Sequence, residues 1–125
     1  MGLLSGLFGM ASAVDADTIE KQLQKIFAPD EQVQQAYQFV RDTIIFTDRR
    51  LIFVDYQGVT GKKTEYLSIP YHSISSFSVQ TTGHFDIDAE LFIWVVGRPD
   101  PIHKEFSNDK NVQEIQRALA QFAMR

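Results

Sequence analysis

The chain has 125 residues, 44% hydrophobic and 22% charged, the balance of one globular domain with enough apolar material for its own core. It contains no cysteine, which excludes disulfides, thiolate metal sites and cysteine nucleophiles and fits a reducing cytoplasm. A net charge of −4 and a pI near 5.2 argue against nucleic acid as the main partner, because a phosphate backbone needs a basic surface.

Met1 to Ala13 is apolar and small, with Leu3, Leu4, Leu7, Phe8 and Met10 among Gly2, Gly6 and Gly9. It falls short of a membrane span, which takes roughly 17–25 apolar residues. No Lys or Arg precedes Lys21, so the basic region of a secretory signal is missing, although Ala11-Ser12-Ala13 mimics a cleavage site. A myristoylation start at Gly2 fails because Gly6 stands where Ser or Thr is needed.

Helical logic begins at Asp17, with Glu20 at capping-box spacing, and Ile19, Leu23, Ile26 and Phe27 form one apolar stripe. Ala28-Pro29-Asp30 ends this helix, since the residue before proline is driven out of helical geometry. From Val33 to Ser107, β-branched and aromatic residues dominate between closely spaced turn signals. The pattern predicts seven strands, near 33–40, 42–47, 50–56, 63–69, 73–81, 86–96 and 102–107. Asp48-Arg49 marks a tight turn, Gln57 to Gly61 a longer loop, and Pro70 a strand end. Short strands with short connections imply antiparallel pairing in a sandwich or small barrel. In the sixth strand, Asp86, Asp88 and Glu90 share one face and Ile87, Ala89 and Leu91 the other. Phe92-Ile93-Trp94-Val95-Val96 is apolar on both faces, so one face needs cover from a helix or a neighbouring subunit. A final helix is predicted over 108–124, capped by Asn108 or Asn111, with Val112, Ile115, Leu119 and Phe122 as the stripe that closes the barrel.

Seven antiparallel strands followed by one amphipathic helix resemble the pleckstrin homology (PH) fold in element order. Ile45 to Asp55, with its Thr47-Asp48-Arg49-Arg50-Leu51 centre, is similar to the second hairpin of bacterial PH-like domains. Ser68-Ile69-Pro70-Tyr71-His72-Ser73-Ile74 is similar to their Ile-Pro-Tyr segment, and Glu90 to Trp94, Lys104 to Phe106 and the closing helix follow in order. The resemblance covers residues 31–125, with 1–30 set apart as an apolar segment and helix that also fits the family's pattern. It implies a mainly β fold: a barrel of seven antiparallel strands in two roughly orthogonal sheets, capped by the C-terminal helix. It further implies a cytoplasmic domain that forms ring-like homo-oligomers. Two features depart from eukaryotic PH domains. The closing helix lacks Trp, leaving Phe122 or Leu119 in that role, and the first hairpin connection, Phe39 to Thr43, carries one base beside one acid. Phosphoinositide recognition is therefore not expected.

Leu7, Phe8, Ile19, Leu23, Ile26 and Phe27 are the candidate oligomer interface, because a seven-strand barrel offers them no interior position. Arg49-Arg50 and Lys62-Lys63 lie in two loops that are expected to share one end of the barrel, where they would meet an anionic group, offset by Asp48, Asp55 and Glu65. The Asp86, Asp88 and Glu90 row reads as a solvated strand rather than a metal site, because a flat strand spaces such ligands roughly 7 Å apart. His72, His84 and His103 are scattered; His84 shares a face with Asp86, but no nucleophile accompanies them. Gly58 to Lys63 has neither the spacing nor the following helix of a phosphate loop. No catalytic residues, cofactor or metal are expected. The reading is a binding or assembly module that pairs with itself or with another protein. The alternative is peripheral binding to an anionic membrane through the N-terminal segment and the basic pairs.

Overall fold

The β-rich stretch pairs as two antiparallel sheets in the computed structural model, which describes residues 12–13, 16–38, 42–57, 63–81, 88–107 and 110–124. The first sheet holds β1 (Ser12–Ala13), β2 (Val33–Gln38), β3 (Asp42–Thr47), β4 (Arg50–Gln57) and β5 (Lys63–Pro70), in that order. The second holds β6 (Ile74–Thr81), β7 (Asp88–Val95) and β8 (Ile102–Ser107). Within each sheet, neighbours in the chain pair antiparallel from β2 to β5 and from β6 to β8, and the chain passes from the first sheet to the second between β5 and β6. The seven predicted strands correspond to β2–β8, and the fold class is as the sequence implies. The two-residue β1, which pairs with the end of β2, is an addition. Val96, expected in the sixth predicted strand, lies just past the end of β7, where its N–H donates to Ser73 O at 2.8 Å.

Two apolar clusters account for the architecture. The larger lies between the sheets and under α2 (Lys110–Ala123), and includes Ile44, Phe46, Leu51, Phe53, Leu91, Ile93 and Ile115. Phe122 completes it, stacking on Phe46 at 5.8 Å and on Tyr71 at 5.5 Å between ring centroids, and so fills the place expected of a closing-helix aromatic. The second lies on the outer face of the first sheet, where Ile45, Ile52 and Val54 alternate with the inward residues of β3 and β4. It is covered by α1 (Ala16–Gln22) and the 3₁₀ turn after it, through Ile19, Leu23, Ile26 and Phe27. These four residues lie outside the barrel interior, as expected, and find their place on its outer face instead. The barrel has no room inside, but its first sheet carries apolar residues on both faces and the helix covers the outer one.

Glu20 departs from its expected role. Its Oε2 accepts from Val33 N at 2.8 Å, tying α1 to the start of β2. The chain enters β2 through a turn over Ala28–Glu31 with Asp30 at φ 66°, where Glu31 N donates to Ala28 O at 3.0 Å and Ala28 N to Glu31 Oε1 at 2.9 Å. Aspartate tolerates this left-handed conformation better than most residues. The turn delivers the Glu31 carboxylate to Arg50, whose Nε and Nη2 donate to its two oxygens at 2.9 Å each. Thr47, fully buried, donates to Glu31 Oε2 at 2.7 Å and accepts from the N–H groups of Arg49 and Arg50, which shapes the tight β3–β4 turn. Arg50 also donates to Ile26 O at 2.7 Å and Ser68 Oγ at 2.8 Å, linking the N-terminal helical segment, β4 and β5.

Burial by itself would raise the Glu31 carboxyl. The hydrogen bonds from Arg50, Thr47 and Ala28 N–H, together with the Arg50 charge, outweigh it and hold the pKa at about 2, against the ordinary 4.5. A depressed carboxyl contributes stability that is present above the unfolded-state value and lost as pH falls toward the folded one. At about 1.4 kcal/mol per pKa unit, this amounts to roughly 3 kcal/mol, lost between pH ~5 and pH ~2. Glu31→Gln is therefore expected to cost about 3–5 kcal/mol at pH 7, as loss of one partner of a buried pair does. The variant should also flatten the acid limb of the stability curve, measured by urea unfolding from pH 7 to 2.5. An unchanged acid limb would show that Glu31 does not carry it.

Candidate interaction surface

The second sheet is covered on one face only. Along β7, Ala89, Leu91 and Ile93 point into the core with at most 1% exposure, and Val95 packs behind them. The opposite face carries Glu90, Phe92 and Trp94, with Trp94 38% exposed, and Val96 beyond the strand is 72% exposed. Register brings Ser76 opposite Trp94, Ser78 and His103 opposite Phe92, and Gln80 and Glu105 opposite Glu90. Phe92 stacks on His103 with centroids 4.5 Å apart and parallel rings, and on Trp94 at 6.1 Å. His103 Nε2 lies 2.8 Å from Glu90 Oε1. The result is a short aromatic row, Trp94-Phe92-His103, edged by carboxylates and open to solvent. The two-sided apolarity of residues 92–96 was legible in the sequence, and the described residues supply cover for one side only.

The remaining predicted site residues fall in three places. Ile19 is 3% exposed inside the α1 cluster, while Leu23, Ile26 and Phe27 are half-buried at its margin. Leu7, Phe8 and Lys62 lie outside the described residues, as do Phe39 to Arg41, the Gly58 to Gly61 loop, His84 and Asp86. Arg49 and Arg50 sit at the start of β4, and Lys63 pairs with Gln57 at its far end. Seven steps of about 3.3 Å along β4 separate Arg50 from the partner of Lys63 by roughly 23 Å, so Arg50 and Lys63 do not share one end of the barrel. An antiparallel meander puts successive turns at opposite ends, which the chain order of the two loops already entails. Arg50 is moreover committed to Glu31, Ile26 and Ser68, a structural role that sequence reading missed because its partners stand 18 to 24 residues away. Of the expected carboxylate row, Glu90 finds its neighbours across the strands, in His103 and Glu105, rather than along β7.

Lys104 points inward from β8, its Nζ 3.9 Å from Asp55 Oδ2 and 5.4 Å from the Phe53 ring centroid, and so joins the two sheets. Tyr37 donates its hydroxyl to Gln35 Oε1 at 2.8 Å with Glu114 Oε1 at 3.2 Å, linking β2 to α2. Burial, reinforced by the Glu114 charge, pushes the Tyr37 phenol well above its ordinary range, so it remains a neutral hydrogen-bonding group. Among the described helices none is long and apolar enough to cross a membrane.

A family model described as bacterial PH domain matches residues 2–123, a span that takes in the N-terminal segment and α1. The chain is 49% identical to YjqA, an uncharacterized protein of Bacillus subtilis (strain 168), over 99% of this chain and 100% of that one. A crystal structure of a DUF1696 family protein with a pleckstrin-homology domain from Shewanella loihica PV-4 matches with a TM-score of 0.80 at 44% identity, over 92% of this chain and 98% of that chain. A pleckstrin homology domain from Shewanella amazonensis SB2B matches equally well, with a TM-score of 0.80 at 45% identity, over 88% and 89% of the two chains.

Beneath this surface, the Ser78 hydroxyl is buried opposite Phe92 and has no hydrogen-bond partner among the described residues. An unsatisfied buried hydroxyl costs about 1–3 kcal/mol. Ser78→Ala is therefore expected to raise stability by about 1 kcal/mol, seen as a higher urea midpoint with an unchanged slope. A lower midpoint would show that the hydroxyl has a partner.

Proposed function

The chain belongs to the bacterial PH domain family, and on that premise we propose that it is a non-catalytic, cytoplasmic assembly module whose partner is a second copy of itself, closing into a ring. The observation that carries this reading is the row of half-buried Phe92 and exposed Trp94, with exposed Val96 just past the strand, on a sheet face that no other described residue covers. Exposed contiguous apolar surface of this kind marks interaction sites. A second apolar margin, formed by Leu23, Ile26 and Phe27, flanks α1 on the outer face of the other sheet. Ile19 supports this margin from beneath, and Leu7 and Phe8, expected in the same interface, lie outside the described residues.

Two different patches on the outer faces of two different sheets favour a head-to-tail contact, in which one patch of each copy meets the other patch of the next. Such contacts form rings when the rotation closes. The edges of the sheets add to this. Within the described chain, β5 pairs only with β4, and β6 and β8 pair only with β7, and open edges invite pairing between copies. The peripheral-membrane alternative has less support, since Arg50 and Lys63 stand at opposite ends of β4 and Arg50 is committed to Glu31.

Removing residues 1–29 is a poor test, because it would uncover Ile45, Ile52 and Val54 and endanger the fold itself. Phe27→Asp and Trp94→Asp each spoil one patch, the first at the half-buried margin of the α1 cluster and the second at an exposed side chain, and leave every fully buried residue in place. Each variant alone is expected to be a folded monomer by light scattering, with circular dichroism matching the parent. An equimolar mixture is expected to form a dimer and stop there, because one intact contact remains. Variants that each keep the parent mass would overturn the proposal, and a mixture that stays monomeric would overturn its head-to-tail form.

A further inference from the structure

The cross-strand register of β7 and β8 collects three donor side chains that the strand sequences keep apart. Glu90 and Glu105 stand directly opposite each other, and His103 lies two residues before Glu105 on the same face. One donor atom from each of the three lies within 4.8 Å of the other two. Like charges directly opposite in an antiparallel pair are destabilising, so the Glu90–Glu105 pair favours a cation between its carboxylates. His103 is the only nitrogen donor in the group, and its ring is not free to wander. Parallel stacking on Phe92 at 4.5 Å holds its Nε2 toward Glu90 Oε1, at 2.8 Å.

We propose that Glu90, His103 and Glu105 form a surface site for a divalent transition-metal ion of the zinc class. The donor set selects the metal. One imidazole nitrogen with two carboxylate oxygens suits zinc and its first-row neighbours. Calcium seeks six to eight oxygens, and magnesium a near-octahedral oxygen shell that is mostly water. Bonds of about 2.0–2.2 Å require donors roughly 3.3 Å apart. The His103–Glu90 pair is already that close, and the exposed Glu105 side chain closes the rest by rotation. Three protein donors leave a fourth position for water or for a donor from another molecule. The site lies on the same face as the aromatic row, and its occupancy is independent of whether the chain self-assembles.

The test is calorimetric titration of the full-length chain with zinc chloride, alongside His103→Ala, Glu105→Gln and the control His72→Ala, whose exposed imidazole sits in the turn after β5. Trp94, the chain's one tryptophan, adds a second readout, because it reaches His103 through Phe92 and a paramagnetic ion at the site quenches its emission. The parent chain and His72→Ala are expected to bind one zinc each. His103→Ala and Glu105→Gln are expected to bind at least roughly 10–100-fold more weakly and to lose cobalt quenching of Trp94. A parent chain that takes up no zinc overturns the site, as does affinity that survives in both variants. Calcium that displaces zinc at equal concentration overturns the choice of metal class.

Discussion

Strands β3 and β4 have to be covered on both faces, and most of the fold follows from that requirement. Ile44, Phe46, Leu51 and Phe53 face the inter-sheet core while Ile45, Ile52 and Val54 face the other way, and all seven are at most 2% exposed. Fully burying an aliphatic or aromatic side chain of this size is favourable by about 1.5–3 kcal/mol, so neither face can be left wet. The inner face is closed by the second sheet and α2. The outer face is closed by α1, which is too short to be a helix on its own and is held in place by that cluster.

The seam between the N-terminal segment and the barrel needs a polar fastening, and Glu31 with Arg50 supplies it. A carboxylate this buried is tolerable only because both of its oxygens accept hydrogen bonds, from Arg50, Thr47 and the Ala28 N–H. The same guanidinium reaches Ile26 O and Ser68 Oγ, so one side chain aligns the end of the helical segment with β4 and β5. Residues 16–31 are therefore joined to the barrel by apolar contact and by a buried ion pair together.

The strands and the closing helix were legible because their signals are local. Alternation, Pro70 at the end of an outermost strand, and a three-to-four-residue stripe over Val112 to Phe122 each depend on near neighbours in sequence. What escaped was non-local. Glu20 has the spacing of a capping residue, yet it serves Val33, thirteen positions on. Arg50 reads from the sequence as half of a basic turn pair awaiting an anionic group, yet the turn at Ala28–Glu31 brings it a carboxylate of its own chain. The cover over Ile45 and Ile52 was invisible because the helix was read apart from the sheet it lies on. Glu90 was grouped with the acids along its own strand, whereas its working neighbours, His103 and Glu105, are fixed by cross-strand register. The aromatic row was half legible: residues 92–96 plainly needed two covers, and only the fold shows that one is missing.

The two sheets thus differ in a way that bears on function. The first is sealed on both sides by the chain itself, and the second leaves Phe92, Trp94 and His103 on an open face beside two carboxylates. This asymmetry directs attention to the second sheet. The most direct measurement is the solution mass of the unaltered 14.3-kDa chain by light scattering across a hundred-fold dilution. The account predicts a defined multiple of that mass that persists at the dilute end or falls there in one step. A single monomer mass at every concentration would contradict it.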